Sequence, residues 1–125
     1  MDMTIKPVIL VVDDIPTNTS LVKAFLKHKD YEVISALSGP EALKIARERK
    51  PDIILLDIMM PVMDGYEVLA RLRSDEITRN IKVIMVSAIS KEDDIRQALE
   101  LGADDYITKP LVATRLYETL EKFTI

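Results

Sequence analysis

The chain contains no cysteine. Disulfides, thiolate nucleophiles and cysteine-ligated zinc are therefore excluded together, while the redox compartment is left open. Long apolar runs are missing as well. Lys6 precedes only a short aliphatic stretch that ends in Asp13 and Asp14, too brief for a signal peptide, and nothing approaches the roughly 20 residues of a membrane-crossing helix. A cytoplasmic protein without membrane contact is expected. Basic charge is also in short supply: 17 lysines and arginines stand against 21 acidic residues, a net charge of -4. That balance disfavours direct binding to nucleic acid or an anionic membrane and favours metal ions and basic protein surfaces. No internal repeat or low-complexity stretch is present.

What is there suffices for one domain. The 125 residues are 48% apolar, enough to bury a full core, and a single domain over 1–125 is expected. The most informative stretch is DIILLDIMMPVMDG at 52–65. Ile53 to Leu56 form an aliphatic run too short for a helix, suited to a strand buried on both faces of a parallel sheet. Asp57 then falls at the carboxyl end of that strand, the edge of an open α/β sheet where ligands bind. Asp64 is placed to cap the next helix, and Gly65 to let the chain turn close to the sheet.

The same grammar repeats along the chain. A lead-in over 1–7 is followed by the buried strand VILVV at 8–12, which again ends in acid, at Asp13 and Asp14. Pro16 suits a first helical turn, and Leu21, Val22, Phe25 and Leu26 continue at helical spacing until His28 to Asp30. A more alternating strand is expected over 31–36, then a helix from Ser38, whose capping box with Glu41 encloses Pro40, to about Lys50. A helix over 65–73 turns Val68, Leu69 and Leu72 inward. The strand 83–86 ends at Ser87, and Ser90 with Asp93 is expected to cap a helix whose inward stripe is Ile95, Ala98 and Leu99. Gly102 stops that helix, Tyr106 to Thr108 form a short fifth strand before Lys109 and Pro110, and Leu116, Leu120 and Phe123 mark the last helix. Strands alternating with helices through short connections give a doubly wound parallel α/β sheet with helices on both faces. Periodicity does not order the strands, but the flavodoxin-like order 2-1-3-4-5 is the common arrangement for five.

In that arrangement Asp13, Asp14, Asp57, Ser87 and Lys109 share one sheet edge. Three ionised carboxylates in one small volume call for a cation, and Mg2+ suits oxygen donors while leaving positions for phosphate oxygens. Lys109 adds a positive charge and Ser87 a hydroxyl donor, which completes the parts of a phosphoryl-transfer site with Asp57 as nucleophile. Taken alone, each of these residues is more simply a solvated acid, a strand-end hydroxyl or a surface lysine; the joint spacing carries the reading.

Over nearly all its length the sequence resembles a response-regulator receiver domain of two-component signalling, of the chemotaxis-regulator type. Asp13-Asp14 after the first strand, DIMMPVMDG around Asp57, Ser87-Ala88, and GADDYITKP from Gly102 to Pro110 carry the resemblance together. It implies a phosphoprotein in which Asp57 accepts a phosphoryl group from the phosphohistidine of a sensor histidine kinase or a phosphotransfer protein of a phosphorelay. Asp14, Asp57 and the Met59 backbone carbonyl would bind Mg2+ directly, Asp13 would act through water, and Lys109 would pair with Asp57 and then with phosphate. Lys109-Pro110 would be cis. The result would be a signalling switch rather than an enzyme, with slow self-dephosphorylation its only other chemistry. Ser87 would turn toward the phosphate and Tyr106 would swing in from solvent, so that the face of the fourth helix, fifth strand and fifth helix changes for a downstream protein partner.

Two other readings compete. An aspartate-nucleophile phosphatase also uses aspartate, magnesium and lysine, but it resembles a DxD signature, whereas Asp57 is followed by Ile58 and Met59, and no residues remain for a cap domain. A pseudo-receiver acting only as a binding module conflicts with the complete acid, hydroxyl and lysine set. Met59, Met60 and Met63 are expected near the phosphate pocket. Val112 departs from the polar cap usual after the lysine-proline pair, and reads evenly as filling against the fourth helix or as a partner contact.

Overall fold

Aliphatic runs form the strands and amphipathic stretches form the helices between them. The computed structural model describes residues 5–124; the lead-in expected over 1–7 lies outside the described residues at 1–4. The strands are β1 (Val8–Val12), β2 (Glu32–Ala36), β3 (Ile53–Asp57), β4 (Lys82–Ser87) and β5 (Asp105–Thr108). The helices are α1 (Pro16–Leu26), α2 (Gly39–Arg49), α3 (Gly65–Ser74), α4 (Glu92–Glu100) and α5 (Ala113–Thr124). All strand pairs are parallel, in the order β2-β1-β3-β4-β5. This is the flavodoxin-like order.

Alternation along each strand splits the core in two. Leu10, Val12, Ile54, Leu56, Val83 and Met85 belong to a cluster completed by α2, α3 and Ala98 of α4. Ile9, Val11, Leu55, Ile84, Val86 and Ile107 face the other way, against Val22 and Leu26 of α1 and Leu116 and Leu120 of α5. Every residue of β3 is buried, as its unbroken apolar run requires.

Local signals place most of the helix ends. Ser38 Oγ accepts from the Glu41 amide at 3.3 Å, and the Glu41 carboxylate accepts from the Leu37 amide at 2.7 Å. Asp64 Oδ1 accepts from the Glu67 amide at 2.9 Å and so caps α3. Gly102 has φ +110°, the left-handed conformation that ends α4.

Three expectations are corrected. Ser90 does not cap α4: the N-cap is Lys91, without a side-chain bond, and Glu92, Asp93 and Asp94 instead set negative charge in the first turn. Leu99 is not part of the inward stripe. In this short helix only Ala98 is buried, and Leu99 is 44% exposed. Val112 is 56% exposed just before α5, so it does not fill space against α4.

Candidate functional site

Strand register brings the acids together. Val12 pairs with Leu56 across β1 and β3, so Asp13 and Asp57, each one residue further on, emerge on adjacent strands at the same edge. Both are 4% exposed, while Asp14 is half-buried. Gly65 lets α3 start directly behind this edge: a Cβ there would lie 2.5 Å from the Asp57 carbonyl oxygen, so no larger residue fits without moving the strand end. Lys109 arrives from β5, with its amide donating to the Ser87 carbonyl at 2.8 Å and its bond to Pro110 cis.

The Lys109 ammonium donates to Asp13 Oδ2 at 3.1 Å and to Asp57 Oδ1 at 3.2 Å. Asp13 is further held by the Ile15 amide on Oδ1 at 3.0 Å and by the Asn18 side-chain amide on Oδ2 at 3.0 Å. Among the described residues, Asp13, Asp14 and Asp57 form the group that offers oxygens within 4.8 Å of one another. One ammonium serves two of these carboxylates. Burial, then the charge of Asp13, pushes the Asp57 carboxyl above its usual range; Lys109 opposes this and Asp14 adds to it. Burial pulls Lys109 down, but its hydrogen bond to Asp13, the charge and hydrogen bond of Asp57 and the charge of Asp13 together leave it raised. The acids are thus under-compensated by the protein alone, and an all-oxygen cluster of this kind fits a hard divalent cation such as Mg2+. Beside them opens a cleft of about 360 Å³ whose polar lining is Asp13, Asn18, Asp57 and Lys109 and whose apolar walls include Leu21, Val22 and Leu111.

Ser87 ends β4 wholly buried, its Oγ accepting from the Ile89 amide at 3.1 Å. Tyr106 is already inside. At 6% exposure its hydroxyl donates to the Ile89 carbonyl at 2.7 Å, so the expected starting position in solvent is corrected: the carbonyl offers a buried partner that solvent exposure would forfeit. Of the three methionines expected near the pocket, Met59 is 66% exposed, whereas Met60 and Met63 pack into the core beside α2 and α3. Met63 sits against Gly39, within 2.9 Å of where its Cβ would be.

Two features escaped the sequence reading. Asn18 looks in sequence like an ordinary polar residue, and only its place in the first turn of α1, shortly after Asp13, signals contact. Arg73 looks like a helix-end charge, yet it donates to the carbonyls of Gly102, Arg79 and Ile81 and to the Asp104 carboxylate, which also accepts from the Val83 amide.

The sequence model of the response regulator receiver domain matches residues 9–121. The chain belongs to that family. As a receiver domain of the two-component type it is 46% identical over 116 residues to the response regulator PleD of Caulobacter vibrioides, covering 93% of this chain but only 26% of PleD. It is 43% identical over 115 residues to the chemotaxis protein CheY of Listeria monocytogenes, covering 91% of this chain and 95% of that one. A solved receiver domain, from the sensor histidine kinase PA1611 of Pseudomonas aeruginosa with a magnesium ion coordinated in its active-site cleft, superposes with a TM-score of 0.86 at 30% identity, covering 95% of this chain and 98% of that one. Receiver domains are signalling switches, and here the acidic pocket of the family is made by Asp13, Asp14 and Asp57. None of the described helices is long and apolar enough to cross a membrane.

Proposed function

We propose that this receiver domain takes a phosphoryl group onto Asp57 from the phosphohistidine of a sensor histidine kinase or phosphotransfer protein, and passes the signal to a downstream protein partner. The observation that carries the proposal is the Lys109 ammonium lying 3.1 Å from Asp13 and 3.2 Å from Asp57. Its charge and hydrogen bond oppose the rise that burial imposes on the Asp57 carboxyl at the strand end, and it stands ready to pair with the oxygens of an arriving phosphoryl group. Asp14, Asp57 and the Met59 backbone carbonyl would hold Mg2+, with Asp13 acting through water. The bound ion supplies neutralising charge for phosphoryl oxygens.

The Asp57 carboxylate oxygen forms a bond to phosphorus as the phosphorus–nitrogen bond of the donor breaks; the imidazole leaves with that electron pair and takes a proton from solvent. Lys109 orients the acceptor, and the Ser87 hydroxyl is available to donate to a phosphoryl oxygen. The readout is a changed face of α4, β5 and α5. Slow loss of the phosphoryl group to water is the only other chemistry, so the protein is a switch and acts in the cytoplasm. Nucleic acid is not the direct partner, given the net charge of -4. A phosphatase reading gains nothing from the site, since the residue after Asp57 is the buried Ile58 and the next is Met59.

Incubation with acetyl phosphate and Mg2+ followed by intact mass tests the proposal. One added phosphoryl group is expected on the wild type and none on Asp57→Asn. Labelling of that variant at the wild-type rate, or no labelling of the wild type, overturns it.

A further inference from the structure

Asp13 and Asp57 are equally buried, and a single ammonium stands at nearly equal distances from both. An even division of this kind needs an explanation, because Asp13 is the better supplied with neutral donors: Ile15 on one oxygen and Asn18 on the other. The Ile15 bond comes from the backbone and fixes the carboxylate's orientation. The Asn18 bond falls on Oδ2, the oxygen that also accepts from Lys109, so each donor draws on the charge density that the other meets. A carboxylate already satisfied by a neutral amide attracts a cation less strongly than a bare one.

Resting on the proposed phosphoryl transfer, we propose that Asn18 is a positioning residue. By donating to Asp13 Oδ2 it weakens the hold of Asp13 on Lys109, leaves the ammonium shared with Asp57, and occupies an oxygen that Asp13 would otherwise offer to a divalent cation. Asn18 touches neither the acceptor nor its donor; it acts through Asp13. Two opposite consequences follow from its removal. Asp13 Oδ2 loses its neutral donor and binds the cation more tightly, while Lys109, still on that oxygen, shifts toward Asp13 and serves Asp57 less well.

The test substitution is Asn18→Leu, which keeps the branched shape of the side chain, suits a helix and faces a cleft already lined by Leu21 and Val22. Asn18→Ala removes the same amide without added bulk, in case the leucine disturbs packing. Binding of MgCl2 by titration calorimetry is expected to tighten about threefold in both variants, while the initial rate of phosphorylation by acetyl phosphate at saturating Mg2+ falls about tenfold, the span of one hydrogen bond. A group that only braces the fold, or only orients an inner ligand, loses affinity and rate together. Weakened Mg2+ binding in both variants therefore overturns the inference, as do unchanged values. If the wild type neither binds Mg2+ nor is phosphorylated, the functional reading falls with it. If the wild type does both and the variants match it, only the role of Asn18 falls.

Discussion

Tyr106 donates its hydroxyl to the backbone carbonyl of Ile89, at 2.7 Å. On its other side the Ile89 amide donates to the buried Ser87 Oγ at 3.1 Å. One residue is thus gripped both from the end of β4, beside the acidic pocket, and from β5. A phosphoryl group that recruits the Ser87 hydroxyl pulls on the residue that Tyr106 also holds.

The first prediction tests that shared grip. Tyr106→Phe and Ser87→Ala are each expected to cost about 1 kcal/mol, one buried hydrogen bond apiece, and the double variant less than their sum, because each loosens the loop the other secures. Denaturant unfolding of the three variants measures this. Additivity to within about 0.3 kcal/mol would show that the two bonds are independent. Both single variants are expected to remain phosphorylatable, and Ser87→Ala to lose much of the gain in partner affinity on phosphorylation.

The second concerns Arg73, which ties the end of α3 to the start of β4 and to the turn between α4 and β5. Its planar fork reaches three carbonyls and one carboxylate at once, an arrangement an ammonium cannot copy. Arg73→Met should destabilise the fold by roughly 2 to 4 kcal/mol, since it leaves the part-buried Asp104 without its guanidinium, and Arg73→Lys should recover less than half of that. Equal stability of Arg73→Lys and wild type, by thermal unfolding, would reduce the cluster to surface charge.

This cluster also marks where the sequence stops being legible. The strands could be read because β1, β3 and β4 are continuous apolar runs, and the acids could be placed because each follows such a run directly. Arg73 and Asp104 lie 31 positions apart and carry no pattern of their own. The cap of α4 misled for a related reason: Ser90 is a good capping residue by type, yet the chain enters the helix one residue later, at Lys91. Tyr106 shows a third limit. A strand-end tyrosine gives no sign of which way it points, and its partner is a backbone carbonyl that no side-chain pattern reveals.

The third prediction follows from the raised pKa of Asp57, caused first by burial and then by Asp13. A carboxyl raised in the folded state favours its protonated form, so the ionised form lowers stability. That cost is absent below the unfolded pKa, about 3.9 for an aspartate, grows as pH rises toward the folded value, and is complete above it. Without divalent cations, Asp57→Asn should therefore be more stable than wild type at pH 7, and the difference should shrink toward zero near pH 3.5. Mg2+ should narrow the gap at pH 7 by stabilising the wild type. A gain of equal size at both pH values would place its origin in packing instead of charge.

The last prediction concerns the lifetime of the phosphoryl group. Met59 stands two residues beyond Asp57 and Ile89 two beyond Ser87, so both chain segments leave the sheet edge at the site. Neither side chain can hold a hydrolytic water. Met59 is exposed, which leaves it free to lie over an occupied site, and Ile89 is half-buried with its amide and carbonyl both engaged, which leaves only its aliphatic side chain to face outward. In-line attack on phosphorus needs a water that is oriented as well as present, and a polar side chain at either position would supply the orientation. The Met59→Asn, Ile89→Glu double variant should therefore lose its phosphoryl group about tenfold faster than wild type, which corresponds to about 1.4 kcal/mol in the barrier. Decay of the phosphorylated proteins, followed by intact mass after removal of the donor with Mg2+ saturating, measures the ratio. Matching decay curves would mean that the attacking water is positioned elsewhere, with the buried Ser87 hydroxyl and Lys109 as the groups next in reach.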